Sequence, residues 1–169
     1  WGLGVPGVSR KTSKGIPVYD DKTDVFILSG AEDLVPVSVE QETIVDPSGN
    51  IGWERTTYQP RTEGLFARIV RHKKTNGEHY WEVRSKDGLV SWYGTPGLGA
   101  NDPAVVANPE LRQSVFSWHL TKTEDPFGNV ILYEYERDLV VSSSGATTNS
   151  RNYDQIYLTK INYAQYPVA

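Results

Sequence analysis

"RIVRHKKTNGEHYWEVRSKDGLVSWYG" spans Arg68–Gly94. Runs rich in Val, Ile, Tyr and Trp alternate here with two turn-forming clusters, Thr-Asn-Gly-Glu and Lys-Asp-Gly. That is the pattern of consecutive antiparallel hairpins. In the central run, His79–Ser85, alternation puts Trp81 and Val83 on one face and Tyr80, Glu82 and Arg84 on the other. A half-buried strand requires this period of two. The fold class that follows is all-β, built mostly of antiparallel hairpins, with at most short helices.

The same texture extends along the chain. Further strands are expected at Val25–Ser29, Val35–Glu40, Ile51–Tyr58, Leu65–His72, Leu89–Tyr93, Val115–Thr123, Val130–Arg137 and Gln155–Tyr163. "VFIL" (Val25–Leu28) is continuously apolar, which predicts cover on both faces. "NPELRQS" offers a helix start, with Asn108 as N-cap and Pro109 at the first helical position, so a short helix is expected near Asn108–Gln113. Turns at Asp46, Asp87 and Asp125 combine aspartate with glycine, two of them with proline, at intervals of roughly forty residues. An aromatic strand follows each, which gives the chain a repeat-like β architecture. The stretches Gly94–Glu110 and Val141–Asn152 read as loops, the second small, polar and mobile.

Length and composition suit one domain, residues 1–169, with 38% hydrophobic and 22% charged residues and a net charge of −4. This mildly acidic balance gives no electrostatic case for a nucleic-acid partner. Zero cysteines rule out disulfides, thiolate catalysis and Cys-ligated zinc. No apolar run approaches the ~20 residues of a membrane helix, so no membrane insertion is expected of this segment. The opening "WGLGVPG" has neither the basic n-region nor the apolar h-region of a signal peptide, and the chain reads as a piece of a longer polypeptide.

Four groups of residues invite a chemical reading. Asp20, Asp21 and Asp24 crowd together, but they lack the glycine and the following glutamate of a calcium loop, and they read as a solvated turn feeding Val25–Leu28. Glu40-x-Glu42 has the spacing of the catalytic glutamate loop of ADP-ribosyltransferases, without the Ser-Thr-Ser strand those enzymes place before it. His72, His79 and His119 are too far apart in sequence for a helical metal pair, and are expected on strand surfaces. The aromatics, Trp53, Trp81, Trp92 and Trp118 among them, would either pack between strands or form a sugar-binding platform. No catalytic, cofactor-binding or metal-binding residue is assigned, and no cofactor is expected. From the residues alone, the alternative to a structural role is an adhesion or carbohydrate-binding β-domain.

Three long stretches then carry a resemblance. "WGLGVPGVSRKTSKGIPVYDDKTDVFILSGAEDLVPV" (Trp1–Val37), "YQPRTEGLFARIVRHKKTNGEHYWEVRSKDGLVSWYGT" (Tyr58–Thr95) and "VFSWHLTKTEDPFGNVILYEYERD" (Val115–Asp138) occur in this order. They resemble the SpvB-type N-terminal region of the B component of bacterial toxin complexes. The resemblance implies a non-catalytic wall segment of a curved Rhs-type β-shell, within a very large secreted protein that also carries propeller-type repeats. It implies as partners the rest of that chain, with its propeller and Rhs/YD-repeat shell, and a toxin C component whose toxic enzyme is encapsulated. A pore-forming A component is implied as an indirect partner. Some relatives carry a separate C-terminal ADP-ribosyltransferase, and no segment resembling it is present here.

Overall fold

Alternating burial, rather than continuous apolarity, organises these strands. The computed structural model describes residues 4–12, 15–29, 33–46, 49–61, 67–75, 77–140 and 153–165. Among them run β1 (Gly7–Arg10), β2 (Phe26–Leu28), β3 (Asp33–Asp46), β4 (Gly49–Pro60), β5 (Ala67–Lys74) and β6 (His79–Ser85). They are followed by β7 (Val90–Tyr93), β8 (Val105–Ala107), β9 (Val115–Glu124), β10 (Val130–Val140) and β11 (Tyr153–Gln165). All pairings are antiparallel, and only a single 3-10 turn, Gly99–Asn101, interrupts the β pattern of the described residues.

Strands β1 to β7 pair in sequence order, β7 pairs with β9, and β9 pairs back with β1, closing an eight-stranded barrel. In the closing ladder Val8 lies opposite Trp118 and Ser9 opposite Ser117. Strand β9 is the keystone. Its first half pairs with β1 and β8, and its second half with β7 and β10. This explains why buried residues lie on both of its faces, unlike β6, where burial alternates strictly from His79 to Val83.

The barrel interior takes one residue in two from each strand: Val8, Phe26, Leu28, Leu34, Tyr58, Ile69, Trp81, Val83, Tyr93, Trp118 and Leu120 are all buried. Phe26 meets Trp81 edge-on at 5.0 Å and Tyr58 at 5.9 Å, and Trp81 meets Trp118 at 5.9 Å, the edge-to-face geometry that aromatic quadrupoles favour. The Trp118 indole N–H donates to the His79 carbonyl at 3.2 Å, so the ring is buried without stranding its polar atom. Gly94 closes the edge of this cluster. Its φ is +75°, and a Cβ there would stand 3.0 Å from Trp118 Cδ1, so backbone and packing both demand glycine.

Two hairpins outgrow the barrel. Strands β3 and β4 stay paired out to Asp46 and Gly49, while β2 covers β3 only at Asp33 and Leu34. Val35, Val37 and Val39 are consequently exposed. Strands β10 and β11 pair along their length, but β9 reaches β10 only at Val130–Leu132. Tyr153, Tyr157 and Tyr163 of β11 are exposed.

Three expectations need correction. Residues 108–113 form turns, not a helix. Asn108 does cap, its Oδ1 accepting the Glu110 and Leu111 N–H groups, but the Ser114 N–H then bonds back to Leu111 and the chain turns into β9. Strand β2 is covered well on one side only, with Phe26 and Leu28 buried and Val25 exposed. The stretch from Gly94 to Glu110 is not loose. Asp102, 1% exposed, accepts hydrogen bonds from the Ala104 N–H at 2.9 Å and from the Thr95 N–H and hydroxyl, and β8 grows from this knot. Burial raises the Asp102 pKa against these stabilising bonds. Residues 141–152 lie outside the described residues, as does the loop of the Asp46 turn.

Candidate functional site

The acidic stretch that reads as a solvated turn is instead the stopper of the barrel mouth. The Asp20 carbonyl accepts the N–H groups of Thr23 and Asp24, and its side chain accepts that of Lys22, folding residues 20–24 into a tight turn. The Asp24 carboxylate accepts the N–H of Val18 at 3.1 Å and of Tyr19 at 2.8 Å, and Tyr19 is held at φ +62°, a left-handed conformation unusual for a tyrosine. These bonds aim Asp21 and Asp24 into the barrel.

Inside, the two carboxylates meet cations delivered by β1 and β5. Asp21 contacts Arg10 Nη2 at 2.8 Å, Arg71 Nη1 at 2.9 Å and Lys73 Nζ at 2.6 Å. Asp24 takes Arg10 Nη1 at 2.8 Å, and Arg10 Nε donates to the Val115 carbonyl at 2.9 Å. Both guanidiniums are 3% exposed, which is tolerable only because each is paired. The Phe26 ring lies between them, 4.9 Å from each guanidinium carbon, and Arg71 also lies near the rings of Trp81 and Trp118. Alternation on β5 turns Ile69, Arg71 and Lys73 to one face, so a strand that reads as basic and exposed buries an arginine.

The electrostatics oppose proton transfer at neutral pH. Burial alone would raise the Asp21 pKa, but the Arg71 charge and hydrogen bonds from Lys73, Arg10 and Arg71 hold it well below the usual carboxylate range. Burial, reinforced by the Arg71 charge, pushes His79 down to about 3. Acid–base catalysis works best with groups poised near the operating pH, and both shifts move away from it. The described residues contain no group of three or more His, Asp or Glu placed to hold a metal ion.

The other candidates are dispersed. Glu40 and Glu42 are exposed on the β3–β4 arm, where Glu42 pairs with Arg55 at 3.2 Å. His79 lies inside the barrel, whereas His72 stacks on Tyr80 at 4.7 Å outside it, and His119 sits on β9 near Ser117 and Tyr135. The expectation of three strand-surface histidines therefore fails for His79, which is buried. Trp81 and Trp118 are fully buried, while Trp53 and Trp92 are half-buried on β4 and β7, with Lys74 and Lys122 respectively 4.6 Å from their ring centres. The four tryptophans do not share one exposed face.

A second polar cluster escaped the sequence reading. Asp154 of β11, its side chain 1% exposed, accepts the Ala107 N–H at 2.8 Å and pairs with Arg112 and with Arg137 of β10. Arg137 also donates to the carbonyls of Asp102 and Val105. These bonds tie the β10–β11 hairpin to β8 and fix the direction in which it projects. An "RD" in a polar strand carries no signal of this.

A family model described as Salmonella virulence plasmid 65kDa B protein matches residues 1–168. The mono(ADP-ribosyl)transferases SpvB of Salmonella typhimurium strain 14028s and of Salmonella dublin are each 27% identical over 174 aligned residues. The match covers 96% of this chain and 28% of theirs, so the chain spans less than a third of those relatives. Among solved structures, the N-terminal domain of effector protein SpvB from Salmonella typhimurium strain LT2 superposes with a TM-score of 0.74 at 25% identity, over 94% of this chain and 51% of that one. TcdB2-TccC3 superposes equally well, with a TM-score of 0.74 at 26% identity, over 94% of this chain and 8% of that one. With the family model matched across nearly every residue, the chain belongs to the SpvB family.

Proposed function

We propose that this domain is a structural wall segment of a secreted bacterial toxin complex, itself non-catalytic, which helps enclose and deliver a toxic enzyme. The observation that carries the reading is the likeness to TcdB2-TccC3, which extends over 94% of this chain yet only 8% of that far larger one. A barrel built that way is one module of a larger wall. The two projecting hairpins fit the role, because β3–β4 and β10–β11 offer long strand edges and exposed apolar side chains to neighbouring sheet. In this reading the partners are the rest of a longer chain with propeller and Rhs/YD-repeat shell, a C component carrying the toxin, and a pore-forming A component that docks on the assembled shell. Salt-locked packing at the barrel mouth suits a wall, which needs rigidity rather than a prepared cleft.

Electron cryomicroscopy of the full-length protein co-expressed with its C component tests this. The expected density is a hollow particle with this barrel fused into its wall through the two hairpins. A barrel that hangs outside a closed shell, with both hairpins in solvent, refutes the role.

A further inference from the structure

The barrel interior contains more buried N–H donors than acceptors. Arg71 Nη2 lies 3.2 Å from His79 Nδ1. A guanidinium can only donate, so Nδ1 accepts, and the proton of the neutral imidazole resides on Nε2. His79 Nε2, Arg71 Nε and Trp81 Nε1 are all buried and without a hydrogen-bond partner. Their residues are 7%, 3% and 0% exposed. The three are neighbours on one face of the β5–β6 ladder: Arg71 is directly opposite Trp81, and His79 stands two residues from Trp81 on the same strand. The acceptors nearby are occupied, since the Asp21 and Asp24 carboxylates are bound by Arg10, Arg71 and Lys73.

Three orphan donors select the ligand. A water molecule could accept from two of them, but its own two protons would then face aromatic rings and further donors. An anion accepts from all three and brings no proton. Charge points the same way, because Arg10, Arg71 and Lys73 outnumber Asp21 and Asp24 by one. An oxyanion such as sulfate would present more oxygens than three donors satisfy, in surroundings otherwise made of the Phe26, Tyr58 and Trp118 rings. We propose that the barrel interior holds one small spherical anion of the halide class, bound by the N–H groups of Arg71 Nε, His79 Nε2 and Trp81 Nε1. The ion completes the charge balance of the core and ties β5 to β6 beneath the acidic stopper.

Crystals of the protein grown in sodium bromide, with data collected at the bromine edge, test the site directly. The expected result is an anomalous peak in contact with those three nitrogens; density there without anomalous signal overturns the proposal. In solution, Tm should rise with bromide or chloride and not with gluconate at equal ionic strength, because only a ligand of the folded state stabilises by mass action. Trp81→Phe keeps an aromatic ring and removes the N–H, and about tenfold more bromide should then be needed for the same gain in Tm, the worth of one charge-assisted hydrogen bond. A Tm that responds equally to gluconate overturns the proposal, and the wild-type crystals decide the matter if Trp81→Phe does not fold.

Discussion

Asp21→Asn keeps the shape of the stopper and removes the charge that three cations share. In the wild type, Asp21 lies 2.6–2.9 Å from Lys73, Arg10 and Arg71, and both arginines are 3% exposed. Removing one partner of a buried ion pair typically costs about 3–5 kcal/mol, because the other charge is left uncompensated. Two features reduce the figure here: the Asp21 side chain is 21% exposed and Lys73 is 43% exposed. Asparagine also retains an acceptor oxygen for one guanidinium. The expected loss is therefore about 2–3 kcal/mol at pH 7, a fall in Tm of roughly 5–10 °C for a chain of this size. The pH dependence is a sharper discriminator. The Asp21 pKa is lower in the folded state than in the unfolded one, so its contribution is complete above the ordinary carboxylate range and fades as pH falls through that range toward the folded value. Urea unfolding of both proteins between pH 7 and pH 3 should show a constant gap down to about pH 5 and convergence below it. A gap under about 0.5 kcal/mol at pH 7, or one that persists undiminished in acid, would show that the salt bridges do not hold the mouth closed.

Other measurements bear on the core, the hairpins and the chemistry. Gly94→Ala places a Cβ 3.0 Å from Trp118 Cδ1 at φ +75° and should cost about 1–3 kcal/mol, read as a lower urea midpoint with an unchanged m-value. The isolated chain should associate through its open strand edges in size-exclusion chromatography, and Tyr157→Lys on exposed β11 should restore the monomer; a wild type that already elutes as a monomer counts against edge pairing. NAD incubated with the protein should remain intact, and NAD hydrolysis abolished by Glu42→Ala would overturn the non-catalytic reading.

Much of the framework was legible because alternation and turn chemistry are local. The β6 boundaries, His79–Ser85, follow directly from the pattern in HYWEVRS. The Asp125 turn forms as its residues dictate, with Asp125 Oδ1 accepting the N–H groups of Phe127 and Asn129 and Oδ2 accepting from the Asn129 side chain. Strands β1 and β8 were missed. Each is only three or four residues long and sits among glycine and proline, and both pair with β9, far away in sequence or beyond a turn, so nothing in their own composition announces them. The stopper was misread for a similar reason. Asp20, Asp21 and Asp24 look hydrated until Arg10 and Arg71 arrive from β1 and β5, and charges buried by distant partners leave no periodic trace. The long, ordered motif match identified the family where the local patterns could not.

The closing ladder between β1 and β9 also sets a schedule for folding. Gly7–Ser9 pairs with Ser117–His119, so the first strand to leave the ribosome must wait for more than a hundred further residues before its partner exists. Until then the β1 edge and the interior positions Val8 and Arg10 have no β9 to cover them. Neighbouring hairpins such as β5–β6–β7 have only short loops to close and can form at once, whereas ring closure carries the entropy of the longest loop in the molecule. Barrel formation should therefore be the slow and aggregation-exposed step, and a chain truncated before Val115 would keep its hairpins while lacking the strand that joins them into a ring.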